Sequence, residues 1–332
     1  MQLFLNTYGA YLHKRDNCFL VKNGEKTFEI SANKVDSIWI TTSATLSTDA
    51  VKFAVDNNID ISFLDHFGNP YGRVWHSKLG STTLIRRRQL QVSDDERGLT
   101  FVKEWNQKKM NNQIDFLKKI SHTRPEQSEK IHQHINRMTL LRNESSQLSG
   151  TIETERQSIL GIEGMVSRCY FNVISEIMPE KWKFEERSRR PAKDGFNCTL
   201  NYGYGVLYSM VERACILAGL DPYVGILHTD NYNKKSFVFD VIEIFRTHVD
   251  EPVVYLFTKK MMHESYFDPI KDGVSLNKQG KEILIKTLNS HFDQKIPYMG
   301  RSVKMRNTIQ MECHAIAKRM IEEGQDAGLG TL

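Results

Sequence analysis

The sequence predicts an α+β chain: a small N-terminal β-rich domain, residues 1–85, followed by a larger all-helical domain, residues 86–332. Three observations predict it. Short β-type runs punctuated by turn residues are confined to the first 80 positions. From about residue 96 onward, apolar residues recur at helical spacing in long blocks. Charge divides at the same place: residues 1–85 hold 8 Lys+Arg against 8 Asp+Glu, and the remaining 37 and 32 put the whole excess of +5 in the second part.

In the first part, Ala10-Tyr11-Leu12-His13, Cys18-Phe19-Leu20-Val21, Thr27-Phe28-Glu29-Ile30 and Ser37-Ile38-Trp39-Ile40 read as strands. Asp16-Asn17 and Asn23-Gly24 supply turns, and Asn-Gly between two β-type runs is a hairpin signal because both residues tolerate positive φ. A helix from Thr48 to about Asp56, capped by Ser47 or Thr48, carries Ala50, Val51, Ala54 and Val55 on its apolar stripe. Strands at Ile59 to Leu64 and Tyr71 to Trp75 follow, and Leu79 to about Asp94, with Arg86-Arg87-Arg88, reads as the connection.

Helices are expected over about 96–121, 127–146, 152–178, 197–219, 236–247, 252–264, 279–293 and 302–323. Pro125, Pro179 and Asp221-Pro222 punctuate them, and Gly324 and Gly328 mark a frayed end. Lys181 to Gly195 is rich in Lys and Arg and poor in apolar residues, so it reads as an exposed, mobile loop between buried helices.

Hydrophobic residues make up 40% and charged residues 26%, which excludes a wholly disordered chain, a collagen and a disulfide scaffold. No apolar run approaches the roughly 18 residues of a membrane span. Met1-Gln2-Leu3-Phe4-Leu5-Asn6 lacks the basic segment and long apolar run of a signal peptide. Five cysteines without a CxxC pair suit reduced thiols, so a cytoplasmic protein is expected. Any polyanion partner should be held by the second part.

Two segments place carboxylates where burial is expected. In Ile159-Leu160-Gly161-Ile162-Glu163-Gly164-Met165-Val166, the helical neighbours of Glu163 are mostly apolar. Gly161 and Gly164 each cost up to about 1 kcal/mol against Ala in a helix interior, which suits close approach of another backbone or a ligand. A structural pairing with Arg168 is the plainer account of Glu163. In the segment Ser236 to Arg246, seven of eleven residues are large and apolar, yet Asp240 and Glu243 lie three apart on one face. Two like charges there need a proton or a compensating cation.

His228 closes the apolar run Gly225-Ile226-Leu227, and alone it reads as a satisfied core histidine. Together Glu163, His228 and Asp240 or Glu243 offer two oxygens and a nitrogen. That set suits a divalent cation with positions open for water and phosphate. Arg187, Arg189, Arg190 and Lys193, with Arg246 after Glu243, would add basic charge, although a solvated loop also explains residues 187–193. His132-Gln133-His134 and His263-Glu264 read as surface residues. Tyr202-Gly203-Tyr204-Gly205 lacks the Lys-Ser/Thr ending and the preceding strand of a phosphate loop.

In order and spacing, Leu160-Gly161-Ile162-Glu163-Gly164, Arg190-Pro191, Asn197 with Tyr202-Gly203-Tyr204, Gly225-Ile226-Leu227-His228 and Ser236 through Arg246 resemble the CRISPR-associated integrase/endonuclease family. This is the catalytic subunit of the spacer-acquisition complex. Ile61-Ser62-Phe63-Leu64-Asp65 with Gly68 and Gly72 extends the resemblance into the N-terminal part. The resemblance implies metal ligation of Mg²⁺ or Mn²⁺ by Glu163, His228 and Glu243, with Asp240 the rival third ligand. It implies that the 3′-hydroxyl of a short foreign DNA fragment attacks phosphodiesters at the edges of a CRISPR repeat, in antiviral defence. With water as nucleophile the same site is a nuclease. Arg187, Arg189, Arg190, Lys193 and Arg246 would then bind DNA. The implied partners are a second copy, joined through the β-domain, and a smaller adaptation protein, Cas-two. Two homodimers would flank its dimer in a heterohexamer, with the prespacer duplex lying across it. A catalytically silent DNA-binding scaffold and a metal-dependent DNA repair nuclease are the alternatives.

Overall fold

The computed structural model describes residues 1–24, 26–68, 70–74, 83–228 and 234–322. Strands β1 (Gln2–Leu5), β2 (Ala10–Arg15), β3 (Cys18–Asn23), β4 (Lys26–Ser31), β5 (Ser37–Ile40) and β6 (Ala44–Leu46) precede helix α1 (Thr48–Asp56). Strands β7 (Asp60–Leu64) and β8 (Pro70–Val74) follow it. They form two four-stranded sheets, in the orders β1-β5-β7-β8 and β4-β3-β2-β6. The hairpin expected near Asn23-Gly24 is present one residue later: Asn23 ends β3 opposite Lys26 of the antiparallel β4, and Gly24, at φ 59°, opens the turn. Ser47 is the cap of α1, its Oγ accepting the Ala50 N–H at 3.1 Å. Strands β1 and β6 add to those expected. Trp75 and Leu79, like Gly324 and Gly328, lie outside the described residues.

Strand β5 joins the two parts of the molecule. Its side chains alternate between faces. Ile38 and Ile40 enter a core with Leu3, Leu12, Phe19 and Ile61, whereas Trp39 enters the helical core, where Phe4 meets it edge-on at 5.0 Å. Gly68 makes a second tie. It lies directly against Gly205 of a long central helix, where a Cβ on Gly205 would overlap the Gly68 backbone. The Tyr202-Gly203-Tyr204-Gly205 run is therefore a packing seam, which agrees with its failure as a phosphate loop.

The second part holds helices α2 (Thr83–Asp94), α3 (Glu96–His122), α4 (Ser128–Gln147), α5 (Ile152–Glu176), α6 (Gly195–Leu217), α7 (Ser236–Ile242), α8 (Thr247–Thr258), α9 (Lys278–Phe292) and α10 (Met305–Glu322). The expected connection is thus a helix from Thr83. Its buried Gln89 explains why: the side-chain amide donates to the carbonyls of Asp221 and Val224, each at 2.9 Å, so a polar residue anchors the helix where apolar ones were sought. Two hairpins, β9 (Phe267–Ile270) with β10 (Gly273–Leu276) and β11 (Lys295–Tyr298) with β12 (Arg301–Lys304), insert among the helices. Four-residue strands give too little alternation to be read from pattern. The expected helix 236–247 ends at Ile242 and tightens into a 3₁₀ turn, Glu243–Phe245. Pro252, expected to open a helix, lies inside α8. Among the described residues no helix is long and apolar enough to cross a membrane.

Candidate active site

Helix α3 carries a buried stripe through Val102, Trp105, Met110, Ile114 and Leu117. Asn106, Lys109 and Gln113 interrupt it at spacings of three and four, and all three are buried. This polar seam faces α5 and the 3₁₀ turn after α7. Asn112 holds the turn in place by donating to the Ile244 carbonyl at 3.0 Å.

At the seam, Lys109 Nζ donates to Glu163 Oε1 at 2.5 Å and lies 2.5 Å from Glu243 Oε2. The two carboxylates therefore meet a single cation. Arg246 places Nε and Nη2 on Glu243 Oε1 at 2.7 and 2.6 Å and stacks its guanidinium 4.5 Å from the Tyr204 ring centre. Burial opposes charge on Glu243, but Arg246 and Lys109 outweigh it and hold the carboxyl at about 2. Burial also opposes charge on Lys109, and Glu243 and Glu163 raise its pKa above the ordinary value regardless. Glu243 Oε2, despite its ion-pair distance to Lys109, is a buried oxygen with no aligned hydrogen bond. Glu163 thus pairs with Lys109; Arg168 is exposed on the wall of the same cavity.

These groups line an open cavity of about 400 Å³. Its charged lining comprises Lys109, Arg168, Arg187, Arg189 and Arg246 against Glu163, Glu185, Glu186 and Glu243. Gly161 and Gly164 do not mark a backbone approach, since a Cβ at either would meet nothing within 4 Å. They leave open space on the helix beside Glu163.

His228 and Asp240 form a separate pair. His228 Nδ1–H donates to Asp240 Oδ1 at 2.7 Å. The same carboxylate accepts the backbone N–H groups of Ile226, Leu227 and His228 at 2.6, 3.2 and 3.0 Å. His228 is not among the residues lining the cavity. The structure therefore brings together Glu163 and Glu243, adds Lys109, and leaves His228 with Asp240. Among the described residues, no three His, Cys, Asp or Glu side chains cluster as a metal site.

The segment Lys181 to Gly195 is strapped down rather than free. Asn197 donates to the Glu186 carbonyl at 2.9 Å, and Asn201 donates to the carbonyls of Ser188 and Arg189 at 2.9 and 3.0 Å. Trp182, Phe184, Ser188 and Ala192 are buried, and Ala192 bridges to Val274 of β10. Composition hid this because the anchors are side-chain amides on α6 and single apolar residues between charged ones. Arg187 turns inward, donating to Asn197 and to Asn201 at 2.8 Å, with its guanidinium 5.1 Å from the Phe171 ring. Arg189, Arg190 and Lys193 are exposed, and of these Arg189 lines the cavity.

The donor set fits a hard divalent ion held by two carboxylates. Glu163 and Glu243 already converge on one cation, and Glu243 keeps a buried oxygen without an aligned hydrogen bond. Mg²⁺ commonly takes one or two carboxylates and completes its shell with water and phosphate oxygens.

A family profile described as CRISPR associated protein Cas1 matches residues 3–290. The chain is 31% identical over 329 residues to CRISPR-associated endonuclease Cas1 1 of Archaeoglobus fulgidus, covering 95% of each. Its fold is that of a Cas1 protein from Thermotoga maritima, with a TM-score of 0.82 at 24% identity over 97% of both chains. It is also that of a casposase bound to integration product, with a TM-score of 0.83 at 23% identity over 97% of this chain and 91% of the other. A chain of a Cas6-RT-Cas1–Cas2 complex aligns at 0.79 and 20% identity, over 97% of this chain and 35% of that one. The strand-rich part, the helical part and the cavity where carboxylates meet arginines agree with the CRISPR-associated integrase/endonuclease class to which the profile and the Archaeoglobus relative point. Within that class, the chain belongs to the Cas1 family.

Proposed function

We propose that the chain is a metal-dependent DNA endonuclease and integrase that inserts short foreign DNA fragments into a CRISPR array. One observation carries this reading: two carboxylates from separate elements meet one cation in the wall of an open cavity that arginines also line. Glu163 and Glu243 would hold Mg²⁺ or Mn²⁺. When bound, such an ion lowers the pKa of a hydroxyl or water and neutralises charge on a phosphoryl group.

The chain's own residues do the rest. Arg246 keeps Glu243 ionised and orients it through a two-point contact. Arg189, exposed at the cavity, is placed to take a phosphate, with Arg190 and Lys193 beyond it on the same segment. Arg187 holds that segment against α6. His228 is the third ligand that the family resemblance implies. With Nδ1–H committed to Asp240, ligation falls to Nε2, and Asp240 orients the imidazole instead of binding metal.

The proposed nucleic-acid partners are the prespacer duplex and the CRISPR repeat, and the setting is cytoplasmic, without a membrane. A homodimer through the strand-rich part is supported by β4, an edge strand with exposed Phe28. Assembly with Cas2 is supported by the likeness to a chain solved with Cas2, and the heterohexamer is the arrangement that the family resemblance implies. A silent scaffold is the competing reading, because both carboxylates are internally paired by Lys109.

Glu163→Gln decides between them. Glutamine keeps the volume and accepts the Lys109 hydrogen bond, so folding and DNA affinity in a gel-shift titration should stay near wild type. Cleavage and joining of a 3′-OH duplex to a repeat-bearing plasmid in Mn²⁺ should be lost. A wild-type chain with neither reaction, or a variant that joins as fast as wild type, overturns the reading.

A further inference from the structure

The ammonium of Lys109 stands where the proposed function puts a divalent ion. The two exclude each other. Nζ is 2.5 Å from each carboxylate, and Mg²⁺ binds oxygen at about 2.0–2.1 Å, so the positions nearly coincide. Charge gives the same answer. Lys109 and Arg246 balance Glu163 and Glu243, and a divalent ion added beside an unmoved Lys109 would leave a strongly positive, poorly solvated site.

The structure also offers the lysine somewhere to go. Gln113 lies one turn along α3 and lines the same cavity. It is 2% exposed, and its Oε1 is buried with no hydrogen-bond partner among the described residues. Residues four apart on a helix are neighbours. A flexible four-carbon stem can therefore swing the ammonium from the carboxylates towards Gln113 Oε1 without moving α3.

We propose that Lys109 is a tethered counter-cation that fills the Glu163–Glu243 site until a divalent metal displaces it onto Gln113. The proposal rests on the reading of those two carboxylates as metal ligands. Metal uptake is then an exchange of cations, and the lysine keeps two like charges at ligand spacing before the metal arrives.

The test titrates Mn²⁺ alone into the full chain, without DNA, reading bound Mn²⁺ by paramagnetic resonance and by the shift in Tm. Lys109→Gln removes the competing charge and keeps a hydrogen-bond donor. It should bind Mn²⁺ about tenfold tighter or better than wild type. Gln113→Leu removes the second resting place and should weaken Mn²⁺ binding severalfold. Equal affinity in wild type and Lys109→Gln, abolished in both by Glu163→Gln, overturns the exchange and leaves the metal site standing. Binding that Glu163→Gln does not affect overturns the metal site, and the exchange with it. Should Lys109→Gln fail to fold, Gln113→Leu decides: weaker Mn²⁺ binding supports the exchange and unchanged binding overturns it.

Discussion

Asp240 and Glu243 lie three residues apart in one apolar segment, and both are at least 95% buried, yet their surroundings differ in kind. Asp240 accepts three backbone N–H groups and one imidazole N–H, so four short-range partners saturate it. Glu243 meets two long cationic side chains and keeps an oxygen without an aligned hydrogen bond. Main-chain donors cannot be exchanged for a ligand without unfolding the turn at residues 225–228. An ammonium on a flexible stem can. Burial alone does not separate a structural carboxylate from a reactive one; the mobility of its partners does.

The comparison breaks first, and by the largest margin, at Asp240. Asn in its place offers one acceptor where two oxygens served, and its amide hydrogens face backbone donors. Removing one partner from a buried charged contact costs about 3–5 kcal/mol, and Asp240→Asn should lower stability by that order in urea denaturation. Glu163→Gln, which keeps an oxygen to accept the Lys109 hydrogen bond, should change stability by about 1 kcal/mol or less. An Asp240→Asn chain with wild-type stability but no strand joining would make Asp240 a reactive group and erase the contrast.

Much of this contrast was legible in the sequence and part was not. Apolar context marked Glu163, Asp240 and Glu243 as unusual, and long helical periodicity placed α3, α5 and α6 within a residue or two. The choice between Asp240 and Glu243 depended on the break at Ile242, where the helix tightens and swings Glu243 towards α3, and no propensity announces that turn. Lys109 was missed because a lysine in a helix reads as solvated. The available signal was the spacing of Asn106, Lys109 and Gln113 along an otherwise apolar stripe. The fixed course of residues 181–195 was hidden for a related reason: it depends on amides of Asn197 and Asn201, which lie in a different element.

Asp250 sharpens the comparison as a third buried carboxylate nearby. It accepts hydrogen bonds from Tyr170 at 3.1 Å and from Tyr204. Burial pushes its carboxyl up from 3.8 to about 6 against the pull of these hydroxyls, Arg246 and Arg187. A raised carboxyl binds its proton more tightly in the folded state. Its contribution is therefore full below pH 3.8 and is lost as pH rises to about 6, an effect of about 3 kcal/mol at most. Glu243, held at about 2, acts in the opposite sense and in a lower window, losing its contribution as pH falls from 4.5 towards 2. Asp250→Asn should flatten the decline in Tm between pH 4 and 6 and exceed wild type above it. Parallel Tm profiles for the two proteins across that window would show Asp250 ionised throughout.

The smallest expected effect on stability, and the finest test of the contrast, lies in two arginines two residues apart. Arg187 is clamped by Asn197 and Asn201 and stacked on Phe171, and burial draws its pKa below the ordinary value. Arg189 is exposed at the cavity, and Asn201 holds its backbone carbonyl rather than its side chain. If partners decide role, only Arg189 has a guanidinium available for phosphate. Arg189→Ala should leave stability within about 0.5 kcal/mol of wild type, as for an exposed substitution. It should reduce the log–log salt slope of DNA binding by about 0.9 on duplex or about 0.7 on single strand, one phosphate contact's worth. Arg187→Ala should do the reverse, loosening residues 183–194 in hydrogen exchange while costing less than one contact in slope. A full unit of slope lost with Arg187→Ala and none with Arg189→Ala would show that the inner arginine leaves its clamp to meet DNA. Fixed side-chain partners would then be no better a guide to role than burial is.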